Sequence, residues 1–126
     1  MNRIVFLLAL MLFAACKKES NNTFSKPKEK TVAKTPIALG KEIFEGKGTC
    51  INCHLANQKV IGPSIQDIAK IYKDKKASIV SFLRGNADPI VDPSQYEVMK
   101  TNFAITKTMS DEELQAIEAY MYSNVK

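Results

Sequence analysis

Residues Cys50 to His54 read CINCH and hold the only histidine of the 126-residue chain together with two of its three cysteines. Such a concentration of reactive and metal-binding side chains within five residues indicates one shared chemical site. Three kinds of site are compatible with two cysteines and a histidine: a dithiol redox pair, a zinc site, and covalent attachment of a haem.

The sequence around CINCH decides among the three sites. A dithiol of the thioredoxin type needs a βαβ context, yet no run of this chain alternates at the period of a strand. Structural zinc needs four ligands, and the cluster offers three. A haem needs two thiols for its two vinyl groups and a following histidine for its iron, which is the order of Cys50, Cys53 and His54. We therefore predict one covalent haem c with His54 as an iron ligand.

Helical periodicity on both sides of CINCH predicts an all-α domain. Pro36 suits the first turn of a helix, Ser64 is a suitable N-cap, and Ser110 to Glu113 form a capping box. Residues 86–109, which include two prolines, are predicted to be an irregular loop. The predicted helices cover residues 37–46, 65–72, 77–84 and a last segment that begins after Ser110.

The N-terminal residues predict export and a lipid anchor. A positive start at Arg3 is followed by an apolar run over residues 4–13, which is too short for a membrane-spanning helix and fits a signal peptide over residues 1–15. Ala14 and Ala15 precede Cys16, and this end resembles the lipobox of bacterial lipoproteins, in which the cysteine is acylated. The alternative is ordinary cleavage near Ala15 that leaves Cys16 as a thiol. We expect a protein on the periplasmic or cell-envelope side, anchored to a membrane through Cys16.

The positive charge of the chain lies outside the predicted domain. Residues 17–34 hold six lysines and two glutamates, and residues 16–35 are predicted to be a flexible basic tether. Residues 35–126 hold 11 basic and 11 acidic side chains. The sequence pI of about 9.1 is therefore no argument for nucleic-acid binding.

From Pro36 to the C-terminus the chain resembles the small monohaem class I cytochromes c of bacteria. The resemblance rests on Gly40 and Phe44 in the first helix, the CINCH motif, Gly62-Pro63 after it, a loop with methionines, and Tyr120 in the capped last helix. It implies a cytochrome c domain over residues 36–126, with three to five helices around one haem and a long distal loop.

The resemblance also implies contacts within this domain. Gly40 should let the last helix cross the first closely, with Phe44 and Tyr120 packed near the crossing. The Pro63 carbonyl should accept a hydrogen bond from His54 Nδ1, which fixes the ring and makes the imidazole a better ligand.

A loop methionine is implied as the second axial iron ligand, and two qualify. Met109 precedes the N-cap Ser110 and can form a hydrophobic staple with Leu114, so a packing role already explains it. Met99 has no such explanation, and we predict it as the ligand. Met121 lies within the last helix and is predicted to be a core residue.

A haem with both axial positions filled favours electron transfer over substrate chemistry. We expect a monomeric single-electron carrier of a respiratory or related redox chain, with no catalytic residues and with membrane redox complexes as donor and acceptor. Lys47, Lys59 and Lys100 are candidates for docking an acidic partner. If neither methionine binds iron, the alternatives are a gas sensor or a small peroxidase-like enzyme. A third alternative is a fixed subunit of a larger oxidoreductase.

Overall fold

The computed structural model describes residues 34–125, in which α-helices are joined by turns. Within these residues, four helices have five residues or more, which lies in the predicted range of three to five, and two further helices are single turns. Within residues 34–125 the only strand-like pairing is an isolated bridge between His54 and Lys59. The helices are α1 Pro36–Glu45, α2 Ile65–Asp74, α3 Ile79–Leu83, α4 Tyr96–Met99, α5 Phe103–Thr106 and α6 Asp111–Ser123.

The predicted signal peptide, the lipidation site at Cys16 and the predicted tether as far as residue 33 lie outside the described residues. Among residues 34–125, no helix is long and apolar enough to cross a membrane.

Side-chain caps define where the longer helices begin, and the caps at Ser64 and Ser110 are those that the sequence predicts. Thr35 Oγ1 accepts a hydrogen bond from the Ala38 amide at 3.3 Å, with Pro36 in the first turn of α1. Ser64 Oγ accepts from the Asp67 amide at 3.1 Å at the start of α2. At the start of α6, Ser110 and Glu113 form both bonds of a capping box. These bonds satisfy amides that a helix leaves unpaired at its first turn.

Helices α1 and α6 cross in direct backbone contact at Gly40. A Cβ atom on Gly40 would lie 1.9 Å from the Ala116 carbonyl oxygen, so only glycine allows this approach. Beside the crossing, the rings of Phe44 and Tyr120 pack edge to face with their centroids 5.3 Å apart. The predicted roles of these residues agree with this geometry.

The hydrophobic core lies where α2 and α3 pack on α6. Leu114 and Ile117 of α6 are almost fully buried, and Met109 and Met121 belong to the same cluster. The carboxylate of Glu118 accepts a hydrogen bond from the Ile79 amide at 2.9 Å and so holds the start of α3 against α6.

The prediction that residues 86–109 are irregular is wrong for the second half of this segment. From Pro93 to Thr106 the backbone forms consecutive short helical turns. Each turn is too short to be stable alone, and long-range packing stabilises them. The rings of Tyr96 and Phe103 lie 6.3 Å and 5.5 Å from the ring of Phe82 on α3.

Candidate haem site

A largely apolar cavity of about 260 Å³ opens between the CINCH turn and the segment that carries Met99. Its floor comes from the helical core, including Phe44, Tyr72 and Ile117. On the side of the CINCH turn it is lined by Thr49, Cys50, Asn52, Cys53, His54, Ile61, Gly62 and Pro63. On the opposite side it is lined by Pro89, Ile90, Val91, Asp92, Gln95, Tyr96, Val98, Met99, Thr101 and Asn102.

A single 3₁₀ turn, Cys50–Asn52, brings both thiols and the histidine to the cavity. The amides of Cys53 and His54 donate to the Cys50 carbonyl at 3.1 Å and 3.0 Å. Both cysteines are free thiols. Cys50 is buried, and burial raises the pKa of its thiol to about 11, so that this thiol is protonated at neutral pH.

The His54 ring is held from two directions by the Gly62-Pro63 turn. Its Nδ1 lies 2.8 Å from the Pro63 carbonyl oxygen, which can only accept, so the proton is on Nδ1 and the lone pair of Nε2 is left for a metal. A Cβ atom on Gly62 would lie 2.4 Å from His54 Cε1. The ring therefore lies directly over the glycine, where no larger residue fits.

The two candidate methionines occupy different environments. Met99, the last residue of α4, is partly buried and lines the cavity. Met109 is 5% exposed and belongs to the hydrophobic core, and it is absent from the cavity lining. Met121 belongs to the core, as predicted, and also reaches the cavity floor. The structure therefore brings Cys50, Cys53, His54, Pro63 and Met99 together around one cavity.

One residue that connects the two sides of the cavity was not predicted from the sequence. Asn102, three residues after Met99, donates from Nδ2 to the Gly48 carbonyl at 3.2 Å. Its Oδ1 accepts from Thr49 Oγ1 at 3.3 Å, and Thr49 has a left-handed backbone with φ of 54°. Its only sequence signal is its spacing from Met99, which does not reveal a partner more than fifty residues away.

A second connection spans the cavity at another point. Lys59, from the loop after CINCH, donates from Nζ to Asp92 at 3.1 Å, and Ser94 donates to the same carboxylate. Both hydrogen bonds lower the pKa of Asp92 below its ordinary value, and the bond from Ser94 has the larger effect. Together with Asn102, this ion pair ties the segment that carries Met99 to the segment that carries His54.

The residues that line the cavity fit a covalently bound haem. Two thiols three residues apart supply the attachment, an oriented imidazole offers a nitrogen ligand, and the thioether of Met99 lies in the same lining. Among the described residues that line the cavity, Asp92 is the one member of the group aspartate, glutamate, lysine and arginine, and it is already paired with Lys59. The remaining surface is mainly aliphatic and aromatic, as an apolar macrocycle requires.

Fold and site thus define an all-α protein built around a covalently attached haem. The chain belongs to the cytochrome c family, since the family model described as Cytochrome c matches residues 37–124, more than half of the chain. Proteins of this family bind haem c and act in electron transfer, so the predicted fold and cofactor are confirmed. No curated protein matches the chain.

Proposed function

We propose that this cytochrome c is a single-electron carrier of a respiratory or related redox chain, without substrate turnover of its own. Cys50 and Cys53 would hold the haem through two thioether bonds, and His54 and Met99 would bind its iron. When bound, the haem supplies a reversible one-electron couple of its iron. The chain positions both ligands and limits access of water to the site.

The observation that carries this proposal is the shared cavity of His54 and Met99. Both residues line it, whereas Met109 is buried in the core outside it. With both His54 and Met99 bound to the iron, oxygen or peroxide would find no free position there. An enzyme would also need an acid or base near the open position. The chain has no second histidine for that role.

Each group in the site has a defined task in electron transfer. The bond between His54 Nδ1 and the Pro63 carbonyl keeps the imidazole in one orientation and one tautomer. A thioether ligand from Met99 raises the reduction potential relative to a site without it. The apolar lining and the connections through Asn102 and Lys59 restrict movement of the ligands between the two oxidation states.

We further propose that the protein is exported and anchored to a membrane through acylated Cys16. Cytochrome c domains are usually exported, which supports the first part. The basic tether between the anchor and the domain would let a monomeric carrier reach membrane redox complexes as donor and acceptor. Tethering raises the effective concentration at the membrane and requires no long-range electrostatic attraction.

Absorption spectra of the purified chain test the electron-carrier proposal. We expect low-spin spectra in both oxidation states, a weak far-red band in the oxidised form, and no change when carbon monoxide is added to the reduced form. Extraction with acidic organic solvent should leave the haem on the chain, as thioether bonds require. A reduced protein that binds carbon monoxide at once would have an open axial position and would favour a gas sensor or a peroxidase-like enzyme.

A further inference from the structure

Thr49, the residue directly before the first cysteine of CINCH, has a strained backbone. Its φ of 54° and ψ of 14° are left-handed, a conformation that β-branched residues rarely adopt. This conformation costs an L-residue free energy that glycine does not lose. Among the described residues other than glycine, Lys76 is the one other residue with a positive φ, of 50°. A threonine at this position therefore requires a reason that lies in its side chain.

Burial does not supply that reason, because Thr49 is exposed although it lines the haem cavity. Among residues 34–125, its hydroxyl has one hydrogen-bond partner, since Thr49 Oγ1 donates to Asn102 Oδ1 at 3.3 Å. Asn102 Nδ2 in turn donates to the Gly48 carbonyl at 3.2 Å. Both polar ends of the Asn102 side chain are thus bound by two consecutive residues of the turn before Cys50.

These bonds lead to the predicted ligand Met99 through one short turn. The 3₁₀ turn Lys100–Asn102 follows directly after Met99, which is the last residue of α4. On the other side, Thr49 precedes Cys50, which the proposed thioether bond would fix to the haem. A hydrogen bond from Thr49 to Asn102 therefore sets the position of the Met99 segment relative to the haem attachment, through contacts that do not involve the iron.

We propose that Thr49 is a positioning residue for the axial ligand Met99: its hydroxyl orients Asn102, which keeps the thioether at the iron. This inference rests on the proposed ligation by His54 and Met99 and adds a residue from the attachment side of the cavity. It also explains the strained backbone. The fold loses some stability at Thr49, and the ligation by Met99 becomes tighter.

Competition between imidazole and Met99 tests the proposal in the oxidised, haem-loaded chain. When added imidazole displaces the thioether, one iron–sulfur bond breaks and one iron–nitrogen bond forms, and no electron is transferred. Loss of the far-red band at constant pH measures the apparent affinity for imidazole. This affinity rises when Met99 is held less tightly, because a larger fraction of the molecules then offers a free axial position.

Three substitutions of Thr49 separate its hydroxyl from its strain. Thr49→Val keeps the β-branched shape and the strain but lacks the hydroxyl, so the apparent affinity for imidazole should rise about two- to tenfold. Thr49→Ser keeps the hydroxyl and should retain the affinity of the parent chain. Thr49→Gly lacks both, so its affinity should rise as in Thr49→Val. Its unfolding equilibrium constant, from denaturant titration, should nevertheless be about two- to tenfold smaller than that of Thr49→Val.

Lys76→Gly is the matched control. Lys76 is also exposed and also has a left-handed backbone, but it does not line the cavity. Its replacement by glycine should stabilise the fold by relief of the same kind of strain. The apparent affinity for imidazole should stay at the value of the parent chain, because no hydrogen bond to the Met99 segment is removed.

Three outcomes would overturn the proposal. A Thr49→Val variant with the imidazole affinity of the parent chain would show that the hydroxyl does not act on Met99. A Thr49→Ser variant that behaves like Thr49→Val would show the same. An effect of Thr49→Val that is equally large in the Asn102→Ala background would show that the hydroxyl does not act through Asn102. If Met99 were not an axial ligand at all, Met99→Ala and the parent chain would bind imidazole with equal affinity. That separate result would refute the proposed ligation, and the role of Thr49 with it.

Discussion

Asn102 Nδ2 donates a hydrogen bond to the Gly48 carbonyl at 3.2 Å and thereby joins the segment after Met99 to the turn before Cys50. The same carbonyl lies 3.4 Å from Cys50 Sγ, which loses its proton if the thiol becomes a thioether. In the haem-bound protein, Asn102 would then remain as the side-chain donor to Gly48. The two sides of the haem cavity are thus connected by an amide group that is independent of the iron.

Replacement of Asn102 by alanine should loosen the axial ligation by Met99. We expect the free energy of unfolding to fall by about 1–2 kcal/mol, and the reduced protein to bind carbon monoxide where the parent does not. The matched control is Asn124→Ala, since Asn124 Nδ2 donates to the Tyr120 carbonyl at 2.8 Å at the end of α6, away from the cavity. If both variants behave alike towards carbon monoxide, Asn102 has only a general structural role.

The ion pair of Lys59 and Asp92 predicts an acid-sensitive connection across the cavity. The pKa of Asp92 is below its ordinary value because Ser94 and Lys59 hydrogen-bond to the ionised carboxylate. The folded state therefore binds this proton more weakly than the unfolded chain does. The resulting stabilisation is fully present at pH values above the ordinary pKa of an aspartate in the unfolded chain. It is lost as the pH falls through the lowered pKa of Asp92 in the folded protein.

Asp92→Asn should remove the stabilisation by the ionised carboxylate at neutral pH. It should also make the free energy of unfolding less dependent on pH below about pH 4. The difference in unfolding free energy between the parent and the variant, measured by denaturant titration, should shrink as the pH falls. Asp74→Asn on α2 is the control, because Asp74 forms no ion pair among the described residues. If the difference in unfolding free energy between the parent and Asp92→Asn were constant from about pH 7 to about pH 3, the ionised Asp92 carboxylate would not be the source of the stabilisation.

Local signals made the longer helices and the attachment turn predictable. The caps at Thr35, Ser64 and Ser110 act within three residues, and CINCH is itself a contiguous motif. The helical turns from Pro93 to Thr106 depend instead on packing against Phe82 on α3, which no local pattern contains. The bond of Asn102 to Gly48 was hidden for the same reason, because the two residues are far apart in sequence.

Gly62 in the haem site and Gly40 at the crossing of α1 and α6 are intolerant of substitution for different reasons. In Gly62→Ala the new methyl group would meet the His54 ring at 2.4 Å, so the ring must move. We expect a changed absorption spectrum and a shifted reduction potential, measured by voltammetry. In Gly40→Ala the methyl would meet the Ala116 carbonyl at 1.9 Å. The free energy of unfolding of that variant should fall by about 1–3 kcal/mol, while the absorption spectrum that reports on the haem ligands should stay unchanged. An unaltered spectrum and potential in Gly62→Ala would show that the glycine does not control the ring.

The proposed lipid anchor predicts a change of location on replacement of Cys16. Cys16→Ala should keep the haem and the fold but move the protein from the membrane fraction to the soluble or uncleaved precursor pool. Fractionation with mass determination of the N-terminus checks this. Ala15→Ser serves as a control that alters the same region and keeps the thiol. A processed Cys16→Ala protein that stays bound to the membrane through its N-terminus would contradict acylation at this residue.

The choice between Met99 and Met109 gives the sharpest test of the haem ligands. Met99→Ala removes a side chain from the cavity lining, so the oxidised protein should lose its far-red band and gain high-spin character. The reduced protein should bind carbon monoxide, and the potential should fall. Met109→Ala removes a buried core side chain and should cost about 2–5 kcal/mol of unfolding free energy while the spectrum is kept.

Both variants should be measured at mildly acidic pH. Lys100 follows Met99 directly, and its amine could otherwise replace the lost sulfur at alkaline pH. The ion pair with Glu97 raises the pKa of Lys100, which favours the protonated amine that cannot bind iron. Reversed phenotypes, with the spectrum altered in Met109→Ala and kept in Met99→Ala, would make Met109 the ligand. That result would require the segment from Pro93 to Ser110 to rearrange when haem binds, because Met109 is packed in the core outside the cavity.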